Sequence, residues 1–68
     1  MKPFELRLAE QHSREARHVR NLRVFCDDPS RFNRLEPEDQ ALIIKQLELM
    51  TDLVGVLEAR MKRLNIPI

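Results

Sequence analysis

Sixty-eight residues with a formal charge of +1, one cysteine and no tryptophan or tyrosine exclude a multidomain chain, a disulfide framework and a strongly basic nucleic-acid binder. The charge is segmented, with six basic and three acidic residues over 1–26, three and seven over 27–52, and three and one over 53–68. One glycine and 34% charged residues favour long helices over strands, so we expect one all-α domain over 1–68.

The first element is expected over about 4–26. Pro3 suits a first helical turn. Phe4, Leu8, Val19, Leu22 and Cys26, with Phe25 beside them, recur on one helical face. His12 and Glu15 complete that seam with polar groups, read as snorkelling near a rim or pairing across one turn, with a buried polar pair that fixes register or reaches a partner as the alternative. The stretch "HSREARHVRNLR" is read as a solvated face whose arginines wind around the helix. The acids of the neighbouring helix are its expected partners.

Residues 27–36 form the corner. Asp28, Pro29 and Ser30 are a turn or capping signal. Phe32 and Leu35, three apart, are expected to fold back over the hairpin end as a short helical turn.

The second long helix is expected over about 37–65. Pro37 suits its first position, Glu36, Glu38 and Asp39 its positive end, and Arg60, Lys62 and Arg63 its negative end. Pro67 is the expected stop. Ile43, Leu47, Met50, Val54, Leu57, Met61 and Leu64 alternate at spacings of four and three, as in a heptad seam. A second strip, Leu42, Leu49, Leu53 and Val56, flanked by Gln46 and Arg60, lies beside it. One antiparallel neighbour covers only the first. The expected architecture is an antiparallel two-helix hairpin with a short helical turn at its corner, dimerising into a four-helix arrangement. Leu42, Leu49, Leu53, Val56 and Arg60 form the dimer interface. If about 400 Å² of that strip left water, transfer would contribute ~10 kcal/mol before the costs of association.

No nucleophile–base pair, phosphate-binding glycine loop or metal-ligand spacing is present in the sequence. The reading is therefore a non-enzyme without cofactor, metal, direct nucleic-acid contact or membrane contact. No signal peptide is recognised, and a cytoplasmic, reduced location follows as the default expectation.

The order "MKPFELRLAE … LRVF … FNRL-EPEDQALIIKQLELM … VLEARM" resembles a family of very small phage-encoded helical-hairpin proteins of crAss-like and temperate phages. Arg7, Leu8, Leu22, Phe25, Phe32, Leu35, Gln40, Gln46, Leu47, Met50, Leu57 and Arg60 carry the resemblance; Glu15 and Leu53 depart from it. Within that family the chain resembles the quorum-sensing anti-activators of Pseudomonas phages. This likeness implies a homodimer that binds the DNA-binding domain of a host LuxR-type transcription regulator and also the pilus-assembly ATPase. A competitor for such a domain offers acids where DNA offers phosphates. The expected patch is Asp27, Asp28, Glu36, Glu38 and Asp39, with Phe32 as apolar anchor. The alternative is an oligomeric sponge that sequesters a nucleotide second messenger of host anti-phage defence. It would use arginines at a subunit boundary, with Arg7, Arg14, Arg60 and Arg63 as candidates. A phage regulatory adaptor is the third possibility.

Overall fold

A computed structural model describes residues 2–68; Met1 of the "MKPF" stretch lies outside them. Helix α1 spans Pro3–Cys26, α2 spans Pro29–Phe32 and α3 spans Pro37–Arg63, and the described residues contain no strand. The long axis is 45 Å and the two short ones are 16 and 15 Å. The two long helices pack antiparallel. Leu8, early in α1, is buried with Leu57 and Met61, late in α3. Leu22 and Phe25 border the same groove as Gln46 and Met50.

Each helix begins where the sequence supplies a start. Pro3 and Pro37 each open a helix, where their fixed φ suits the turn and their missing N–H is no loss. The backbone N–H of Lys2 donates to Glu5 Oε1 at 3.0 Å, the reaching-back half of a capping box. At the corner Asp28 is the N-cap of α2. Its Oδ1 accepts from the Ser30 N–H at 3.1 Å and the Ser30 hydroxyl at 2.7 Å, and its Oδ2 accepts from Arg31 Nε at 2.9 Å. The short helical turn expected from Phe32 is thus α2. The Phe32 ring meets Phe25 edge to face, with centroids 6.4 Å apart and planes at 81°, a favoured geometry for aromatic pairs. The Arg31 guanidinium lies 5.2 Å from the Phe25 ring centre. Gln40 Nε2 donates to the carbonyls of Phe32 and Leu35, at 3.1 and 3.0 Å. These bonds fasten the corner to the first turn of α3.

The expected end of α3 near residue 65 needs correction. The helix stops at Arg63, and Asn65 takes φ 55°. The Ile66 N–H donates to the Met61 carbonyl at 2.9 Å and the Asn65 N–H to the Lys62 carbonyl at 3.1 Å. This is a Schellman closure, with asparagine in the left-handed position. It turns Ile66 back, so that Ile66 joins Leu8, Leu57 and Met61 in the buried cluster. Leu64, placed by periodicity in the seam, is 39% exposed instead. The turn substitutes Ile66 for it.

The first-helix seam holds Leu8 and Val19 as buried positions, with Leu22, Phe25 and Cys26 half-buried. Phe4 departs from it and is 45% exposed. His12 and Glu15 do not pair with each other. His12 Nε2 lies 2.9 Å from Glu58 Oε2 on α3, and the His12 side chain retains only 12% exposure. Glu15 faces His18 Nδ1 at 3.9 Å and Arg14 Nε at 3.8 Å. The histidine reaches across the hairpin because the opposing α3 residue at that level is an acid, and an apolar neighbour would leave the ring nitrogen without a partner.

Candidate functional site: an arginine cleft beside an apolar strip

On α1, Phe4, Arg7, Gln11 and Arg14 recur at spacings of three and four, so they share a stripe along one side of the helix. This stripe lies next to the buried Leu8 but faces outward. Across from it, near the end of α3, stands Arg60. Together with Leu8 and Glu10 these residues line a cleft of about 490 Å³, within the size range of small-molecule sites.

Three guanidiniums against the single Glu10 carboxylate leave the lining at net +2. Among the described residues no carboxylate lies within salt-bridge distance of Arg7 or Arg60, and Arg14 has only the 3.8 Å approach to Glu15. The acids of the neighbouring helix, expected to neutralise the arginine face, do not do so. Each planar guanidinium can offer two parallel N–H donors to a phosphate or carboxylate. Phe4 adds an exposed ring at the rim, a surface on which a flat heterocycle can stack. The structure therefore brings together Arg7, Arg14 and Arg60 of the four arginines considered for a phosphate site. Arg63 is exposed and is not part of the cleft lining. Phe4 is the lining residue that the sequence reading placed elsewhere. Its signal was the spacing to Arg7, Gln11 and Arg14, which competes with its spacing to Leu8.

The second strip of α3 is exposed on the single chain. Leu42 is 68% exposed, Leu49 57%, Leu53 37% and Val56 57%. Leu42, Leu49 and Leu53, with Lys45, Gln46 and Met50, line a shallow depression of about 400 Å³. The strip runs into Arg60, so the apolar face ends at the arginine cleft. Gly55 lies on another side of α3 and meets no atom within 4 Å where a Cβ would stand.

At the corner, Asp27, Glu36, Glu38 and Asp39 are exposed, while Phe32 is half-buried against Phe25. Asp28 is engaged by Ser30 and Arg31, and the side-chain bonds from these two hold its carboxyl below the usual aspartate range. Arg31 and Arg34 are interleaved with these acids and exposed. The acidic character is therefore concentrated at the start of α3.

The model of one protein family, Sequestin, matches residues 2–63. The chain belongs to the Sequestin family. The match spans both long helices and the corner, and so includes every cleft residue of this Sequestin chain. No curated protein and no solved structure matches it. Among the described residues no group of three metal-ligating side chains occurs, and no helix is long and apolar enough to cross a membrane.

Proposed function

We propose that this Sequestin chain is a phage-encoded sponge, which holds a phosphate-bearing nucleotide second messenger of host anti-phage defence and does not transform it. The observation that carries this reading is the convergence of Arg7, Arg14 and Arg60, with Phe4, on one cleft. The family's name suits a protein that withholds a ligand from its receptor. Phosphate oxygens would accept from the guanidiniums, and a base would lie against the Phe4 ring. Binding without turnover suppresses a signal when protein sites outnumber messenger molecules and affinity exceeds that of the receptor. Such a protein would work in the host cytoplasm.

Calorimetric titration with cyclic dinucleotides tests the reading. Binding is expected in the unaltered chain, with loss in Arg7→Ala and Arg60→Ala and retention in Arg20→Ala, at an exposed arginine outside the cleft. Ligand released by denaturing the complex should have its original mass. No heat with any cyclic nucleotide, or release of a cleaved product, would overturn the proposal.

The exposed Glu36, Glu38 and Asp39 support a second reading, the anti-activator. In it the acidic start of α3, with Asp27, occupies the basic surface of a LuxR-type DNA-binding domain, and a further contact is made to the pilus-assembly ATPase. That complex would weaken on reversing Glu38 and Asp39 and be indifferent to Arg7→Ala. Calorimetry and co-purification with the two purified partners therefore separate the readings.

A further inference from the structure

The exposed strip of α3 raises its own question, independent of what the cleft binds. Leu42, Leu49, Leu53 and Val56 share one face of α3, bordered by Lys45 and Gln46, and even the least exposed of them, Leu53, retains 37% exposure. Among the described residues the buried core holds five apolar residues, Leu8, Val19, Leu57, Met61 and Ile66, and a face of that size is out of proportion to it. An uncovered face of this kind marks an interaction surface.

Its charges indicate what covers it. The first turn of α3 carries Glu38 and Asp39, and the last turn carries Arg60, Lys62 and Arg63. Glu38 and Arg63 lie on the same flank of the strip by helical register, 25 residues apart. Two α3 helices laid parallel would set Glu38 beside Glu38 and Arg63 beside Arg63. Laid antiparallel, they set each acidic start against a basic end and oppose the two helix dipoles. We propose that two copies of the chain pair antiparallel along α3, with the two-fold axis passing near residue 51. Leu49 of each copy then packs on Leu53 of the other, Leu42 covers the aliphatic stem of Arg60, and Glu38 faces Arg63. The interface is isologous, so it closes as a dimer. Because Arg60 belongs to both the strip and the cleft, the second copy's α3 start forms one bank of each arginine cleft.

Three measurements on the full chain test this pairing, with far-ultraviolet circular dichroism as the control that each variant keeps its helix. In analytical ultracentrifugation the unaltered protein should be a dimer at micromolar concentration, and Leu49→Lys a monomer. Glu38→Arg should weaken the dimer about tenfold by setting arginine against arginine, and Glu38→Arg combined with Arg63→Glu should restore it. Spin labels at Ala41→Cys in a Cys26→Ser background should lie about 30 Å apart or more, from 20 intervening rises of 1.5 Å. A label separation below about 20 Å would mean parallel pairing and overturn the proposal. So would failure of the charge exchange to restore association, or a dimer that survives Leu49→Lys. A clean monomer would overturn it too, and would leave the strip to a partner of another kind.

Discussion

Asp28 shows how much of the corner rests on one carboxylate. It accepts from the Ser30 N–H, the Ser30 hydroxyl and Arg31 Nε, and these bonds lower its pKa from the ordinary 3.8. A carboxyl whose folded pKa lies below its unfolded one stabilises the fold above the unfolded value. The contribution disappears as pH falls through the folded value. Asn at this position keeps an acceptor for the cap but does not titrate. The melting temperature of Asp28→Asn should therefore lie below that of the parent by a constant margin above about pH 5. The margin should shrink as pH is taken toward 2.5. A margin that is the same at both ends of the range would contradict the assignment. His12 poses a different residue-scale question, since its partner Glu58 is 42% exposed and can turn to water when the ring is removed. A double-mutant cycle of His12→Ala and Glu58→Ala should give a coupling of about 1 kcal/mol by denaturant unfolding. Coupling indistinguishable from zero would mean that the 2.9 Å contact holds nothing.

At the scale of elements, α3 carries two apolar faces with opposite fates. Leu57 is 1% exposed and Leu49 57%, although both are leucines of the same helix. Leu57→Ala should cost about 2–5 kcal/mol of stability, from lost transfer energy plus a cavity beside Leu8 and Met61. Leu49→Ala should change the unfolding of the isolated chain by less than about 0.5 kcal/mol. Paired urea titrations of both variants, under conditions where the chain is monomeric, would show comparable losses if the division of faces were wrong. The helix starts, the corner turn and the seam positions Leu8, Val19, Leu57 and Met61 were legible because prolines, Asp28 and a four–three periodicity each speak through local geometry. The end of α3 was not, because Pro67 accounts for a stop by itself, whereas the chain already turns at Asn65. The basic last turn followed by asparagine was the available signal. Glu58 was missed because a polar pair within α1 satisfied His12 on paper. Pairing across the hairpin depends on which α3 residue stands at the same level, and that follows from register, not from spacing within one helix.

For the whole molecule, the cleft was legible only in part. Arg60 is far in sequence from Arg7 and Arg14, and an antiparallel hairpin is what sets the beginning of α1 beside the end of α3. Arg63 looked equivalent to Arg60 by composition but falls outside the lining. The same architecture places the strip along the cleft's edge, so association and thermal stability should be linked. On the proposed pairing, raising the protein concentration a hundredfold should raise the melting temperature of the unaltered chain. Leu49→Lys should melt at one temperature throughout. A concentration-independent melt of the unaltered chain would count against any self-association in this range.

Ile66 sits at 5% exposure among Leu8, Leu57 and Met61, held there by the turn at Asn65. A protease that severed the peptide bond after Asn65 would take away a plug as well as a tail. Leu8 would then be wetted, next to Arg7 in sequence and one helical turn from Phe4. Nicking at that single bond would thus loosen the Leu8 end of the hairpin while the phenylalanine corner, toward the other end of the 45 Å long axis, stayed intact.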